Sequence, residues 1–380
     1  MPKTIHIIEP TLSNEAGHCF SFISALCRAN TESFTLCLWT GRQARLLFPE
    51  KNIRIRPYFY RKIRRLQAYF LYRQLLATPD RIFISTAGRT DLLLLNWAAR
   101  GVVPPKKTYL YFHWFKSDAK KIEQLKALAL RQPNLEILGP TPSVVKAFAD
   151  AGFKHTRVVP YPVLKREVPA PTEAGTFRHL LYAGAARRDK GFSQVVDLVA
   201  CLQDQGLQIA VTLQTSSEHY GKYDPGTQAD IQRLQGIHYP FLKISPETLG
   251  LQEYVALFEG AICLQLYDPA DFSDRVSGVT LDAFAAGCPV VARSGTWIAN
   301  MVLRFDAGVV VDDTSAPTVL SAVDNILHDY ARYQMNSSMA GNLLQQENSA
   351  DTLFGILAED RPDAEAPLTS PSSKHPGTMS

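Results

Sequence analysis

Short apolar stretches alternate with amphipathic segments along the first half of the chain. Apolar, partly β-branched runs predict strands, and segments whose apolar positions recur every three or four residues predict helices. The predicted strands are residues 5–9, 34–39, 53–58, 81–85, 108–113, 135–138 and 157–160, and the predicted helices are residues 18–28, 60–76, 90–99 and 119–130. Such alternation is typical of parallel strands joined by crossover helices, so residues 1–160 are predicted to form one Rossmann-like domain.

A second α/β pattern follows a proline-rich segment. Residues 161–176 contain Pro162, Pro169 and Pro171 and have no hydrophobic period, which predicts a hinge between domains. Beyond it the predicted strands are residues 179–183, 208–214, 261–267, 289–293 and 308–311, and the predicted helices are residues 192–205, 319–333 and 339–357. We therefore predict a second domain over residues 177–335, a C-terminal helix over 336–360 and, from its composition, a disordered tail over 361–380.

Composition adds limits to this picture. The chain has 380 residues, of which 46% are hydrophobic and 20% charged, as expected for a globular protein with two domains. Its formal net charge of +4 is slight, and no RNA-binding module is recognised, so we expect no nucleic-acid partner. The charge would still favour anionic lipid or phosphate wherever the basic residues cluster.

The cysteines and the first residues bear on location. None of the six cysteines forms a Cys-x2-Cys pair or lies at zinc-site spacing from a histidine, so we expect small buried side chains in a reducing compartment. The chain enters its first strand without a signal peptide, and no apolar run approaches the ~20 residues that span a bilayer. These features predict a cytoplasmic protein.

One block of the second domain combines several features of a binding site. Asp274 and Asp282 stand eight residues apart and flank a small turn at Ser277 and Gly278, and the second aspartate is predicted in the first turn of a short helix. Loop amides and the positive end of the helix dipole suit phosphate oxygens, while carboxylates suit sugar hydroxyls. The acid pair alone would fit an ordinary αβ unit with solvated carboxylates. The complete block, which exits through Gly287-Cys-Pro-Val-Val, favours a binding site.

A basic loop precedes the first predicted helix of the second domain. Gly184 allows a tight exit from the strand, and Gly191 lets the backbone turn into the helix. Between them, Arg187, Arg188 and Lys190 could face an anionic group, although a solvated basic loop would have the same composition. Because the ligand-binding loops of a doubly wound sheet gather at the carboxyl ends of its strands, we expect this loop and the aspartate block to face one ligand.

These two blocks resemble the nucleotide-sugar site of retaining, two-domain (GT-B) glycosyltransferases of the large family four. The resemblance rests on the order strand, small-residue turn, acid-bearing helix and Ala-Gly-x-Pro-Val-Val exit. The family's acid pair is usually Glu-x7-Glu, whereas this chain has two aspartates. Its basic motif is Gly-Arg-x4-Lys-Gly, in which Lys190 matches the lysine. Ala185 stands at the arginine position, so Arg187 or Arg188 would have to substitute.

The resemblance implies a fold of two Rossmann-like doubly wound α/β domains that face each other across a cleft. It implies transfer of a sugar, with retention, from a nucleotide-diphosphate donor to a hydroxyl of a carbohydrate or lipid-linked acceptor. Lys190 and the amides near Ser277 and Gly278 would bind the diphosphate, Asp282 the ribose and Asp274 the transferred sugar. No metal or cofactor besides the nucleotide-sugar co-substrate would be needed, because cationic side chains and helix amides neutralise the leaving group.

Two first-domain residues gain their roles only from the resemblance. His113 ends a predicted strand where the family commonly has a histidine that contacts the donor sugar; otherwise it would be a core histidine beside aromatic residues. Gly17 lies in the turn after the first strand, where the family has a glycine-rich turn near the donor phosphate; otherwise it belongs to a helix cap.

The predicted helix over residues 60–76 begins with a basic segment. Residues 60–73 interleave Lys and Arg with aromatic and aliphatic side chains, which suits a helix that rests on an anionic membrane surface. A solvated helix that packs its apolar stripe on the sheet would show the same pattern.

Two other functions compete with sugar transfer. A non-catalytic GT-B-like scaffold or nucleotide-sugar-binding protein is favoured by the two aspartates and by Ala185. A Rossmann dehydrogenase does not fit, because no Gly-x-Gly-x-x-Gly follows the first predicted strand.

Overall fold

The computed structural model describes residues 3–15, 17–30, 34–164, 175–216, 223–247 and 249–359. Most of the predicted hinge, residues 161–176, and the whole predicted tail, residues 361–380, lie outside the described residues. Over these residues, no helix is both long enough and apolar enough to span a bilayer.

The first sheet has seven strands, all parallel to their neighbours. In chain order the strands are β1 Lys3–Glu9, β2 Phe34–Gly41, β3 Ile53–Phe59, β4 Arg81–Ile84, β5 Thr108–Tyr111, β6 Glu136–Gly139 and β7 His155–Val158. The connecting helices are α1 Gly17–Ala29, α2 Arg64–Leu76, α3 Arg89–Ala98, α4 Ala119–Arg131 and α5 Pro142–Asp150. The strand order β3-β2-β1-β4-β5-β6-β7 changes direction between β1 and β4, the kind of switch point at which doubly wound sheets bind ligands.

The second sheet has six parallel strands. They are β8 His179–Tyr182, β9 Val211–Gln214, β10 Leu242–Ser245, β11 Ala261–Gln265, β12 Val290–Arg293 and β13 Gly308–Val311. The helices are α6 Phe192–Asp204, α7 Pro225–Gln235, α8 Leu251–Ala256, α9 Pro269–Phe272, α10 Gly278–Ala285, α11 Trp297–Phe305, α12 Ala316–His328, α13 Tyr330–Glu347 and α14 Ala350–Ala358, with a 3₁₀ turn at Arg188–Lys190. The order β10-β9-β8-β11-β12-β13 places the switch point between β8 and β11. Every residue of β4, β5 and β11 is buried, because helices cover both faces of a parallel sheet.

The end of the described chain returns to the first domain. Helix α14 packs against α1, and the Phe354 ring meets Phe34 edge-on with centroids 5.9 Å apart. Arg157 Nη1 donates to Glu359 Oε1 at 2.7 Å, and the Arg81 guanidinium donates to the Leu357 carbonyl oxygen. The two domains are therefore joined by the last helix as well as by the segment between the sheets.

Some predicted elements differ from the structure. The predicted helix over residues 60–76 begins only at Arg64, and residues 61–63 form a turn. The gap predicted between helices 319–333 and 339–357 is wrong, because α13 runs through it. The helix breaks at Asn348 instead, and the Ser349 hydroxyl, which accepts from the Asp351 amide at 3.2 Å, caps α14.

Several short elements were not predicted from the sequence, and helix α5 and strand β10 show why. Helix α5 has only nine residues, which is shorter than the window over which a helical period is recognisable. Strand β10 lies at the edge of the second sheet and has no buried residue, so it lacks the apolar run of a central strand.

Candidate functional site

The carboxyl ends of the two sheets face each other, and polar contacts join them. The Ser143 hydroxyl, at the start of α5, donates to the Asp274 carboxylate of the second domain. Lys116 Nζ, in the loop after β5, lies 3.4 Å from Asp271 Oδ1 in α9. The loops that carry the predicted site residues are therefore in contact across the cleft.

Lys190 lies over the first turn of α10. Gly184 follows β8 with a left-handed φ of +99° and donates its amide to Gln214 Oε1 at 2.7 Å. A Cβ atom built on Gly184 would lie 3.7 Å from Lys190 Nζ and 3.6 Å from the Val279 side chain. The two blocks predicted to face one ligand are thus within a few ångströms of each other, and Gly184 keeps the space between them clear.

The beginning of α10 offers backbone donors to a ligand. Ser277 caps the helix through its hydroxyl, which accepts from the Thr280 amide at 3.3 Å. A Cβ atom on Gly278, the first helical residue, would meet nothing within 4 Å, and the first turn contains no acidic residue. An anion could therefore approach the first amides of this helix closely.

Asp282 lies in the second turn of α10, which corrects the predicted position in the first turn. The helix begins only at Gly278, so the carboxylate stands one turn further from the helix dipole. The Tyr254 hydroxyl donates to Asp282 Oδ2 at 3.1 Å, and the carboxylate is close enough to Tyr161 of the first domain to raise that phenol's pKa, which burial raises most. Asp282 therefore points to the space between the domains.

The two arginines proposed to replace the motif arginine point in different directions. Arg187 Nε donates to Asp189 Oδ1 at 2.8 Å within the same loop. Arg188 Nε donates to Asp230 Oδ2 at 2.8 Å, and this α7 carboxylate is almost fully buried. Arg188 is paired with a residue of α7. Arg187 lies close enough to Tyr267 and Arg275 to influence the pKa of each, so it is the nearer of the two to the predicted phosphate site.

Arg275 is a cation of the site that the sequence did not indicate. Its guanidinium lies 5.0 Å from the Trp114 centroid and 4.9 Å from the Phe272 centroid, so it is stacked between one ring of each domain. Burial lowers its pKa, and nearby Arg187 lowers it further. Its position beside Asp274 was the only signal that the sequence offered.

The first-domain side of the cleft is built around a buried carboxylate, which sequence reasoning also missed. Glu9 ends β1 with 2% of its surface exposed. Its Oε1 accepts from the Thr11 hydroxyl at 2.5 Å, and its Oε2 accepts from the Ser85 hydroxyl at 2.8 Å and from the Thr86 hydroxyl. These hydroxyls satisfy a charge that would otherwise be costly to bury.

His113 belongs to the same polar group. Its Nε2 lies 2.8 Å from the Ser85 carbonyl oxygen and 3.4 Å from the Thr86 hydroxyl. A carbonyl only accepts, so Nε2 is assigned the proton and Nδ1 the lone pair. Burial lowers the pKa of His113, which keeps the imidazole neutral at pH 7. The aromatic rings of Phe22, Tyr111 and Tyr161 surround it at 5.2–5.4 Å between centroids.

Gly17 is the first residue of α1, at the carboxyl end of β1. The turn before it is tied to the loop after β2, since Glu15 Oε1 accepts from the Leu47 amide at 2.9 Å. Gly17 thus lies on the first-domain side of the cleft, at the same sheet edge as Glu9.

Acidic side chains in the described ranges do not gather into a metal site. No group of three or more His, Cys, Asp or Glu residues there is arranged to hold a metal ion. Asp313, for example, lies just before α12 and accepts from the Ser315 amide at 3.1 Å and from the Thr318 hydroxyl at 3.0 Å.

Comparisons with known proteins identify the architecture. No protein-family model matches the sequence, and no curated protein matches it significantly. Solved structures match over most of the chain. Sucrose-phosphate synthase from Thermosynechococcus elongatus is 15% identical with a TM-score of 0.65, over 93% of this chain and 96% of that one.

Two further structures match equally well. HepE of Anabaena, solved in complex with UDP-glucose, is 15% identical with a TM-score of 0.67 over 93% of this chain and 98% of that chain. WaaG, a glycosyltransferase involved in lipopolysaccharide biosynthesis, is 12% identical with a TM-score of 0.65 over 94% and 100%. With its parallel sheets of seven and six strands, the chain has the two-domain GT-B fold of glycosyltransferases.

Proposed function

We propose that the protein transfers a sugar from a nucleotide-diphosphate donor to an acceptor hydroxyl. The observation that carries this proposal is that Lys190 Nζ and Val279, in the first turn of α10, both border Gly184, while the space at Gly278 is open. An ammonium and directional amides are the combination that binds a diphosphate. A structural neighbour, HepE, was solved with UDP-glucose, which supports a nucleotide sugar as the ligand of this fold.

The acid pair would bind hydroxyl groups at either end of the diphosphate. Asp282, oriented by Tyr254, would accept from the ribose, and Asp274 from the transferred sugar. In the structure Asp274 accepts from Ser143, so a sugar hydroxyl would share or replace that bond. The aspartate side chain is shorter than that of glutamate by one carbon–carbon bond, roughly 1.5 Å. The donor would therefore bind closer to α10 here than it would if both acids were glutamates.

The reaction would break the bond between the anomeric carbon and the β-phosphate oxygen, whose electron pair leaves with the phosphate. The anomeric carbon would bond to the acceptor oxygen on the same face, which retains configuration, and the acceptor proton would move to the departing phosphate oxygen. Lys190 and Arg187 would stabilise the negative charge of the diphosphate, so we propose that no metal ion is required. His113, neutral and with its Nε2 proton held by Ser85, would orient the transferred sugar.

The first domain would meet the acceptor. We propose a carbohydrate or lipid-linked acceptor presented at an anionic membrane, as in polysaccharide or glycolipid synthesis, with the protein attached to the inner face of the membrane. Arg61, Lys62 and Arg65 are exposed at the beginning of α2. Ile63, Leu66 and Phe70 lie among them with 49%, 57% and 56% of their surface exposed, although apolar side chains of this size are usually covered.

A panel of UDP-, GDP-, ADP- and dTDP-sugars, assayed for transfer and hydrolysis, tests the proposal. Turnover with retained configuration, followed by NMR of the product, is the expected result. Nucleotide-sugar binding without turnover would instead favour the non-catalytic GT-B-like scaffold, for which the shortened acid pair and Ala185 argue. Absence of both binding and turnover with every donor would overturn the proposal.

A further inference from the structure

The diphosphate site has fewer available cations than its motif suggests. Ala185 replaces one positive charge, and Arg188 is paired with the buried Asp230. Arg187 is partly compensated by Asp189. Lys190 and a partly compensated Arg187 would therefore face both negatively charged phosphate groups of the donor.

Arg275 lies where the missing charge is needed. It stands two residues before Ser277, the cap of α10, and its guanidinium contacts the Phe272 ring at 4.9 Å. Phe272 packs on Tyr267 with centroids 4.6 Å apart, and Lys190 Nζ lies 5.6 Å from the Tyr267 centroid. The two cations therefore contact one pair of aromatic rings near the beginning of the same helix.

The surroundings of Arg275 compensate its charge only in part, because burial and Arg187 lower its pKa more than Asp189 and Asp271 raise it. Among the described residues, no carboxylate lies within 4.0 Å of this guanidinium. Several other arginines of the second domain do have a carboxylate within that distance. Two aromatic rings cover it, and Arg187 is close enough to lower its pKa. A half-buried cation beside a second one is unfavourable unless an anion binds between them.

We infer that Arg275 binds the diphosphate of the nucleotide-sugar donor and supplies the cation that Ala185 does not. The inference rests on the proposed function and adds a residue to its site. Because the guanidinium also stacks on Trp114, a bound diphosphate would hold this stack in place and bring the first domain against the donor. The planar fork of an arginine suits this task, since it contacts two phosphate oxygens while its face stays on the rings.

Calorimetry with UDP, UMP and uridine tests the inference. Arg275→Ala is expected to weaken UDP by about tenfold or more, UMP by less and uridine not at all, because charge-assisted hydrogen bonds to the second phosphate are lost. Arg275→Lys, which keeps the charge but loses the planar fork, should retain only part of the UDP affinity, with uridine binding unchanged, and it replaces the alanine variant if that variant does not fold. Raised salt should reduce the difference between wild type and Arg275→Ala.

Arg304→Ala is the matched control. Arg304 also lies over an aromatic ring, 4.6 Å from the Phe305 centroid, but at the end of α11 and paired with Glu347. Its loss should leave UDP affinity unchanged. Equal losses for UDP and uridine in Arg275→Ala would indicate a purely structural role and overturn the inference, as would unchanged UDP affinity. Wild-type protein that binds no nucleoside diphosphate would overturn the proposed function and this assignment together.

Discussion

The two domains carry their positive charge on different surfaces. The second domain places Lys190, Arg187 and Arg275 on loops that face the cleft. The first domain lines the cleft with the hydroxyl-bound carboxylate of Glu9 and the neutral imidazole of His113. The densest cluster of positive charge in the first domain lies at its outer edge, since residues 42–73 contain ten lysines and arginines and one acidic residue.

This difference assigns a partner to each surface. A dianionic diphosphate is attracted to the second-domain side of the cleft and gains nothing from the buried carboxylate opposite. Neutral sugar hydroxyls can pair with the first-domain groups without a charge penalty. The basic outer edge, with exposed apolar side chains in α2, lies at the β3 edge of the first sheet, away from the switch point between β1 and β4, and would attract an anionic surface.

The largest expected effect concerns the outer edge. Wild-type protein should co-sediment with phosphatidylglycerol liposomes at low salt, and replacing Arg61, Lys62, Arg64 and Arg65 together by Gln should weaken this binding. At about 1 kcal/mol for each charge near the leaflet, the loss should reach about two to three orders of magnitude. High salt should weaken wild-type binding in the same way.

Two comparisons sharpen the membrane test. Replacing Lys120 and Lys126 of α4, which are exposed cations of the same domain, should leave liposome binding nearly unchanged. Equal binding to neutral liposomes, or no binding to anionic ones, would mean that α2 only packs on the sheet and that the acceptor is not presented at a membrane.

Next in size is the loss of Lys190. Lys190→Ala should weaken nucleoside diphosphate binding by about one to two orders of magnitude, because a hydrogen bond to a charged group contributes about 1.5–3 kcal/mol. The melting temperature should stay within a few degrees, since the side chain is not part of the core. Lys146→Ala, which removes a lysine that pairs with Asp150 on α5, is the matched control for calorimetry. Unchanged affinity in Lys190→Ala would remove this residue from the site.

The second-domain side of the cleft could be predicted from the sequence because its residues are contiguous. Gly184–Gly191 and Asp274–Asp282 each form one short motif, and the structure brings Lys190 within reach of α10 as expected. Arg275 could not be predicted as a site residue, because its proposed role depends on the Trp114 ring of the other domain. The orientation of Arg188 depends on Asp230, some forty positions later in the chain.

The first-domain side of the cleft could not be predicted, because its residues are far apart in the sequence. Glu9, Ser85 and His113 follow three different strands, and their hydrogen bonds exist only once β1, β4 and β5 are adjacent. The fold class was predictable, because alternation of apolar runs and helices is a property of the chain itself. The position of Asp282 was wrong by one turn, since the exact start of α10 is set by the Ser277 cap.

The acid pair separates donor binding from turnover. Asp282→Ala should raise the donor dissociation constant about tenfold, whereas Asp274→Ala should mainly lower turnover, because it orients the transferred sugar. Ser143→Ala removes the hydrogen bond from Ser143 to Asp274 and leaves the carboxylate in place. The turnover of this variant shows whether Asp274 acts through that bond. Replacing each aspartate by Glu tests its reach. Wild-type kinetics in both alanine variants would show that this loop is not part of the site.

A smaller effect is expected on the first-domain side. His113→Ala should lower turnover more than UDP affinity, since the imidazole is proposed to orient the transferred sugar and lies near only one of the proposed diphosphate cations, Arg275, which adds to burial in lowering its pKa. His238 is an exposed histidine of the second domain, so His238→Ala is the matched control for replacing a histidine by alanine. A loss of UDP affinity equal to that in Lys190→Ala would break the comparison between the two sides, because it would place the diphosphate against the first domain.

The smallest expected effect is a dependence of stability on pH in the neutral range. Burial lowers the pKa of His6, His113 and His179 below the ordinary value of 6.5. The unfolded chain therefore binds protons that the folded protein does not as the pH falls through about 6.5, and folding loses stability. The loss is at most about 1.4 kcal/mol per pH unit for each histidine.

Urea unfolding at pH 7.5 and pH 5.5 measures this loss, and His6 isolates one part of it. Burial lowers the pKa of His6, and its Nδ1 accepts from the Trp39 indole at 3.1 Å, while Asp80, 3.2 Å from Nε2, opposes this by raising the pKa. His6→Gln should therefore lose less stability between the two pH values than wild type, while His238→Gln should behave as wild type. Asp91 acts in the opposite direction, since burial raises its pKa, but it is common to all three proteins and cancels in the comparison. A wild-type stability that rises on acidification would contradict the assignment of neutral histidines in the fold, including His113 on the first-domain side of the cleft.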